Sequence, residues 1–367
     1  IYYSTLHFLK LAFKMSNSIE KLVGQLIIAG FRGKSIKNDS PIVNYIKNFN
    51  IAGIILYDID LEIGGNNLTP GTRNIESPTQ LKKLIQHLQN ISKQKLLVSV
   101  DQEGGHTSRL KSIYGFHQDT SWAHVGNLNS PPFTRQFSEE TANTLKDAGI
   151  NLNFAPVLDL DHGNGSVISD QQRACSNDPK EVVEHAKIFI KAHRENGVIT
   201  CGKHFPGLGS ASGDTHEGIT DITNSWTVKD LQPFDTLIQE NELDTVMVSH
   251  AFDKKLDPNY PSSLSQNIIT KMLREDLGFG GVVICDDPSM RAISDHYSLH
   301  ETFELMLNAG VDLFCLGNNL IYDPDYIPKS INAIVDLVNS KKISESRISE
   351  SIRRVNVLKR RYNINER

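Results

Sequence analysis

A glycine-rich segment, KHFPGLGSASGDTH at 203–216, gathers side chains that can exchange protons and bind polar groups. Asp214 and His216 lie two residues apart, and a carboxylate beside an imidazole orients the ring and favours its protonated form. Such a histidine can give and take a proton near neutral pH, as general acid/base catalysis requires. The same spacing also occurs in solvated or structural loops. Glycines at 202, 207, 209 and 213 predict a mobile segment that carries His216 over a bound substrate.

A pair of carboxylates in VVICDDPSM provides a second reactive group. Adjacent residues at a strand end point to opposite faces, so we expect Asp286 to face a site and Asp287 to anchor the loop. Asp286 could then attack an electrophilic carbon or stabilise a cationic transition state. A structural alternative is a capping pair that precedes Pro288.

Other polar residues are suited to binding hydroxyl and amide groups. We expect a binding role for Asp101, Arg109, Arg173, Lys203 and His204. A divalent metal held by His204, His216, His250, Asp101 and Asp286 is the alternative. The sequence has no HxH or HExxH spacing, and Lys203 would repel a cation, so we predict no metal.

Eight apolar, β-branched runs recur along the chain, and four of them end at or just before one of these polar residues. Continuous apolar strands, in contrast to alternating ones, indicate burial on both faces, as in a parallel sheet covered by helices. The runs are QLIIAGF at 25–31, AGIILY at 52–57, KLLVSV at 95–100, NLNFAPVLDL at 151–160, VITCGKHF at 198–205, DTVMVSH at 244–250, GGVVIC at 280–285 and DLFCLG at 312–317.

Amphipathic helices are predicted between and after the runs, at 77–91, 178–197, 264–278 and 344–362. Eight strands alternating with helices predict an α/β fold, a single (β/α)₈ TIM barrel whose site lies at the carboxyl ends of the strands. A doubly wound open sheet would gather polar residues at one switch point instead. No nucleotide-binding GxGxxG or GxxxxGK[ST] pattern appears. The long segment 58–74 is interpreted as a strand-to-helix loop at the rim.

Composition limits the partners of the 367-residue chain. Its net charge of −5 offers no basic surface for nucleic acid or anionic lipid. We expect a monomer with a neutral or mildly charged small substrate and no membrane span. Residues 1–17 are interpreted as a flexible extension and 18–367 as one domain. Widely spaced cysteines predict buried, reduced thiols and a cytoplasmic location; a periplasmic or secreted one is the alternative if the extension acts as an export signal.

Five motifs, in this order, carry a resemblance to a known enzyme family: DQEGGHTSRL, NLNFAPVLDLD, GKHFPGLGSASGDTH, LREDLGFGGVVICDDPSM and AGVDLFCLGNN. From IEKLVGQLIIAGFRG to RISESIRRVNVLKRRY, the chain resembles glycoside hydrolase family 3. The closest likeness is to its β-N-acetylglucosaminidase branch, which includes the bacterial peptidoglycan-recycling β-hexosaminidase.

The resemblance implies a retaining double displacement on a TIM barrel, without a metal or organic cofactor. It implies that Asp286 is the nucleophile that forms a glycosyl-enzyme and that His216, assisted by Asp214, is the acid/base. It also implies that Asp101, Arg109, Arg173, Lys203 and His204 bind a terminal N-acetylglucosamine. The expected substrates are peptidoglycan fragments or chitooligosaccharides.

The chain departs from the family pattern at several positions. Leu208 replaces the second histidine of KHFPGHG, and His106 replaces the arginine of DQEGGR. RACS stands where RSFG or RSYG is usual, and the 58–74 loop is longer than in the compact recycling enzymes. The alternatives are a β-glucosidase-type hydrolase on the same barrel and a non-catalytic carbohydrate-binding protein.

Overall fold

Eight parallel strands close into a barrel, which confirms the predicted TIM-barrel fold. The structure is a computed structural model that describes residues 19–64, 68–163 and 165–364, so the predicted extension at 1–17 lies outside the described residues. Each strand pairs with the next along the chain, and the last pairs with the first through Ile28 and Cys315. The strands are β1 (Ile27–Gly30), β2 (Gly53–Ile55), β3 (Leu97–Val100), β4 (Leu152–Asn153), β5 (Ile199–Phe205), β6 (Thr245–Val248), β7 (Val282–Cys285) and β8 (Leu313–Leu316).

Each of the eight predicted runs contains one barrel strand. The fourth is shorter than the apolar run 151–160 because Pro156, which has no N–H for the ladder, interrupts the pairing. Val157 then makes an isolated bridge to Lys203.

Helices surround the barrel and bury their apolar faces against it. Ser77 and Asp178 accept hydrogen bonds from the first-turn backbone, as their positions before Pro78 and Pro179 predict. The barrel helices are α1 (Pro41–Lys47), α2 (Pro78–Ile91), α3 (Pro131–Ala148), α4 (Pro179–Glu195), α5 (Val228–Gln239), α6 (Asn267–Asp276), α7 (Leu299–Ala309), α8 (Tyr326–Asn339) and α9 (Glu345–Arg361).

The sixth helix has π-type hydrogen bonding, which the predicted amphipathic helix at 264–278 did not include. The apolar pattern predicts which face is buried, here Ile268, Ile269 and Leu273, and carries little information about hydrogen-bond register. No helix within the described residues has the length and apolarity to cross a membrane.

Apolar residues fill both faces of the sheet. One buried cluster lies inside the barrel and includes Ile28, Leu152, Phe154 and Ile284, and a larger one lies between strands and helices. This two-sided burial is why the strands are continuous apolar runs. The four cysteines are free and buried, which confirms the predicted buried thiols.

Short elements decorate the carboxyl end of the barrel. The hairpin Gln102–Gly104 with Thr107–Ser108 follows β3, and the predicted rim loop after β2 contains a short helix, Leu61–Gly64. Further single-turn or short helices are Ser112–Tyr114, Trp122–Leu128, Val167–Asp170, Ser262–Leu264 and Arg291–Ser294.

Candidate active site

A cavity of about 380 Å³ opens at the carboxyl ends of the strands. A volume of this size suits a small-molecule ligand. Its lining includes each of the residues that the sequence singles out as catalytic or binding: Asp101, Arg109, Arg173, Lys203, His204, Asp214, His216 and Asp286. Segments that are far apart in sequence therefore meet at one place because the barrel is closed.

Asp286 follows β7, and its carboxylate faces the cavity. The backbone N–H of Asp287 donates to Asp286 Oδ1 at 2.9 Å. Burial acts to raise the pKa of Asp286, but the nearby His250, His204 and His216 act in the opposite direction and hold it below its ordinary value. The carboxylate is therefore ionised at neutral pH, which suits a nucleophile.

Asp287 anchors the loop, as the strand geometry predicted. Its carboxylate accepts hydrogen bonds from the backbone N–H groups of Gly317 and Ser289, both at 2.9 Å. Burial, with a smaller contribution from neighbouring Asp286, raises the pKa of Asp287 to about 6.

His216 and Asp214 form a hydrogen-bonded pair at the cavity mouth. His216 Nδ1 lies 2.7 Å from Asp214 Oδ1, and the same oxygen accepts from the His216 backbone N–H at 2.9 Å. The bond to His216 lowers the pKa of Asp214. Burial opposes protonation of His216, but Asp214 and the charge of Asp286 outweigh it and raise the pKa of His216. The imidazolium is favoured, and 52% of the side-chain surface is exposed.

Three of the four glycines before His216 lie where the chain is closely packed. Gly202 lies inside β5, and a Cβ on Gly207 would approach Asp230 Cβ to 2.8 Å. A Cβ on Gly209 would lie 2.1 Å from the carbonyl oxygen of Leu160. Each of these three glycines is a place of close approach, and the mobility predicted for the segment stays a prediction.

A network of ion pairs forms the polar side of the cavity. Lys203 Nζ donates to Asp101 Oδ1 at 2.9 Å and lies 2.5 Å from Glu103 Oε1. Arg173 donates to Glu103 through Nε and Nη2, both bonds at 2.8 Å. The same Nη2 lies 3.2 Å from His204 Nε2. Arg109 lies 3.5 Å from Asp101. The five predicted binding residues are thus in one network.

Sequence reasoning assigned no role to Glu103 or Asp159, although both belong to motifs that carried the resemblance. Burial acts to raise the pKa of Glu103, but Arg173 and Lys203 lower it to about 2. Asp159 Oδ2 lies 2.6 Å from His204 Nδ1, and its other oxygen accepts from the Leu208 N–H at 2.6 Å. The carboxylates at strand ends were the available signal, but which cation each would meet depends on the closed barrel.

His250, a member of the alternative metal set, is engaged elsewhere. Its Nδ1 lies 2.7 Å from Ser263 Oγ, and its Nε2 lies 3.0 Å from the carbonyl oxygen of Asp287. Burial lowers its pKa. Across the described ranges, no group of three or more His, Cys, Asp or Glu residues is placed to hold a metal ion.

Comparison with known proteins assigns the family. The model of the Glycosyl hydrolase family 3 N terminal domain matches residues 18–358. The chain belongs to glycoside hydrolase family 3. It is therefore a glycoside hydrolase, as its curated relatives also indicate.

Relatives of this family 3 hydrolase are similar over most of their length. A beta-hexosaminidase of Nitrosomonas eutropha is 34% identical over 289 residues, which are 75% of this chain and 80% of the relative. A beta-hexosaminidase of Haemophilus influenzae is 32% identical over 302 residues, which are 80% of this chain and 79% of the relative.

Solved structures of the family have the same barrel. A β-N-acetylglucosaminidase from a Paenibacillus species superposes with a TM-score of 0.84 and 29% identity, over 94% of this chain and 62% of that one. A β-N-acetylhexosaminidase from Beutenbergia cavernae has a TM-score of 0.81 and 26% identity, over 93% and 98% of the two chains.

The departures from the family pattern lie around the cavity of this family 3 hydrolase. Leu208, His106 and parts of the long 58–74 loop line it. Leu208 is buried, and its backbone N–H keeps a hydrogen bond to Asp159. The loop is not loose where it is described, because buried Arg73 bonds Asp60 and the carbonyl oxygens of Gly317 and Asn318.

Proposed function

We propose that this family 3 hydrolase is a retaining exo-glycosidase that removes terminal β-linked N-acetylglucosamine. The observation that carries the proposal is the pairing, across one cavity, of an ionised Asp286 with a histidine whose protonated form is stabilised by Asp214. An anionic carboxylate and a proton donor are the two groups that a double displacement requires.

In the first step, His216 donates its proton to the glycosidic oxygen while the Asp286 carboxylate attacks C1. The C1–O bond breaks, the aglycone leaves as an alcohol, and a glycosyl-aspartate ester forms. In the second step, neutral His216 takes a proton from water as the water oxygen attacks C1. The ester bond breaks, Asp286 leaves as a carboxylate, and two inversions give net retention.

The polar network is suited to the hydroxyl groups of the terminal sugar. Lys203, Arg173 and Arg109 offer charged donors, and Asp101 offers an acceptor. These groups are held by mutual ion pairs before substrate binds, so little ordering remains to oppose binding. Lys203 and Glu103 are buried on this side of the cavity, which supports removal of a terminal residue in preference to cleavage within a chain.

The choice of N-acetylglucosamine rests on the relatives, whose names are beta-hexosaminidase, and on the motifs that they share with this chain. We propose peptidoglycan fragments or chitooligosaccharides as the natural substrates. Matched nitrophenyl β-glycosides with and without the 2-acetamido group test the sugar, and faster hydrolysis of the plain glucoside would overturn it. Kinetics on an N-acetylglucosaminyl–anhydromuramyl substrate against chitobiose test the aglycone.

The covalent step is tested with a fluorinated slow substrate that keeps the 2-acetamido group. We expect mass spectrometry to find one added glycosyl group on the peptide that contains Asp286. Asp286→Ala and His216→Ala should each lower kcat by on the order of 10²-fold or more, and Glu217→Gln, an exposed neighbour of His216, is the matched control. An adduct on another residue, or hydrolysis unaffected by both substitutions, contradicts the proposal.

A further inference from the structure

Four aliphatic side chains contribute to the lining of the cavity: Ile59, Leu61, Leu68 and Leu320. We call these residues the aliphatic wall. They come from the long loop after β2 and from the loop after β8. Asp58, at the base of the wall, is paired with Lys111 at 2.5 Å, and Glu62 is paired with Arg32. The charged groups beside the wall are therefore paired, and the four wall side chains are themselves apolar.

Polar bonds behind the wall hold its two loops together. Asn319 accepts from the Leu61 N–H and donates to the carbonyl oxygen of Ile59, at 3.3 and 3.1 Å. Arg73, which is fully buried, bonds both Asn319 and Asp60 at 2.9 Å. The four aliphatic side chains are therefore supported from behind by hydrogen bonds that link the two loops.

Barrel order places the wall beside the strand that carries the nucleophile. Asp286 follows β7, so a sugar attacked by it has its C1 at this end of the cavity, and β8, which precedes Leu320, pairs with β7. The other wall residues follow β2, which pairs with β1 and with β3, so the wall borders both the C1 end of the site and the ion-pair network. The loop of His216 reaches the same β7 end, since the carbonyl oxygen of Thr215 accepts from Ala292 N–H at 3.2 Å.

We propose that the aliphatic wall is the aglycone-binding surface and that it selects β-N-acetylglucosaminides whose leaving group presents an alkyl or aryl surface. The inference rests on the proposed exo-glycosidase function and adds to it the chemical class of the leaving group. When an apolar leaving group contacts the wall, the surface of the leaving group and the surface of the wall are both removed from water. This favours binding of an apolar leaving group over a polar, hydrated one.

A series of alkyl β-N-acetylglucosaminides tests the inference: ethyl, butyl and hexyl. Their leaving alcohols have nearly equal acidity, so differences in kcat/KM report on contact and not on bond breaking. Complete burial of a methylene gives about fourfold. The wall residues are partly exposed, so we expect about twofold per methylene and, over the four added methylenes, a hexyl-to-ethyl ratio of about sixteenfold.

The variant Leu61→Ser/Leu320→Ser should bring the hexyl-to-ethyl ratio close to one. Ile63→Ser is the matched control, because Ile63 lies in the same short helix, is 61% exposed and does not line the cavity. It should keep the ratio of the unmodified protein. Single Leu61→Ala and Leu320→Ala variants give the same test if the double variant fails to fold.

The outcomes separate this inference from the proposed function. If the ethyl glycoside is hydrolysed and kcat/KM does not rise toward hexyl, the role of the wall is overturned and the proposed glycosidase activity stands. The same holds if the rise in kcat/KM is retained in the Leu61→Ser/Leu320→Ser variant. No hydrolysis of any member of the series overturns the proposed activity and the inference together.

Discussion

At the scale of single residues, two adjacent carboxylates in the same motif have opposite properties. Asp286 faces three histidines and its pKa is lowered, whereas Asp287 is buried against backbone N–H groups and its pKa is raised to about 6. Strand geometry separates their directions, and the different surroundings then separate their ionisation. The proposed mechanism uses the charge of Asp286, whereas Asp287 anchors the loop.

The pH dependence of hydrolysis should report the His216–Asp214 pair. Asp214 favours the imidazolium and raises the pKa of His216, so the alkaline limb of kcat/KM should lie above pH 6.5, the ordinary value. Asp214→Asn removes that stabilisation and should move the limb to lower pH. The measurement is a pH–rate profile on the ethyl glycoside. Asp286 and Arg173 also face His216, and an unmoved limb in Asp214→Asn would assign the titration to another group.

Glu103 should be important for stability, because it lies between buried Lys203 and largely buried Arg173. Glu103→Gln leaves Lys203 and Arg173 without their shared partner and should cost about 3–5 kcal/mol of unfolding free energy. Its pKa is lowered to about 2, so its contribution is present above pH 4.5 and is lost as the pH falls toward 2. Denaturant unfolding at pH 7 and pH 3 measures both effects.

The control for Glu103 is Glu62→Gln. Glu62 is 61% exposed and also pairs with an arginine, so its loss should cost less than about 1 kcal/mol. An equal loss of unfolding free energy in Glu103→Gln and Glu62→Gln would show that burial of the Glu103 ion pairs does not cause the destabilisation.

At the scale of elements, the loop after β5 is positioned by tight backbone packing. Gly209 touches the backbone of Leu160, and Ser166 Oγ donates to the carbonyl oxygen of Gly209. The loop carries His216 from the end of β5 toward β7, where the backbone of Ala292 meets it. Its position is therefore a consequence of contacts with two neighbouring loops.

Gly209→Ala should displace this loop. A Cβ 2.1 Å from a carbonyl oxygen forces a backbone shift, which should cost about 1–3 kcal/mol and lower kcat on alkyl glycosides. Gly218→Ala is the matched control, since a Cβ there meets nothing within 4 Å. Thermal unfolding and kcat are the measurements, and equal behaviour of the two variants would refute the packing role.

At the scale of the whole molecule, α9 covers the end of the barrel opposite the cavity. Val355, Leu358 and Tyr362 join the interior apolar cluster. Lys359 is buried there, and its Nζ donates to the carbonyl oxygens of Ala52 and Lys95 at 3.3 and 3.0 Å. Burial lowers the pKa of Lys359 to about 8.

This lysine should make stability rise with pH in the alkaline range. Its ordinary pKa is 10.5, so between pH 8 and 10.5 the unfolded chain binds more protons than the folded protein. The rise should amount to about 3 kcal/mol at most. Lys359→Met should remove it, as measured by denaturant unfolding from pH 7.5 to 10.5. A slope unchanged by the substitution would contradict the assignment.

Local sequence information was sufficient for the strands and for most of the site. Apolar runs such as VVIC and LLVSV required burial on both faces, and a parallel barrel with its polar residues at the strand ends follows from that requirement. The helix starts at Ser77 and Asp178 could also be predicted from local sequence, because each depends on a hydrogen bond between a side chain and the backbone of the first helical turn.

The tertiary structure alone decided how these residues meet. The partners of Glu103 and Asp159, the close packing of Gly207 and Gly209, and the aliphatic wall each join segments that lie far apart in the chain. A local pattern sets the direction of a side chain relative to its own strand. Distances across the cavity depend on closure of the barrel and on loop packing, which no single segment encodes.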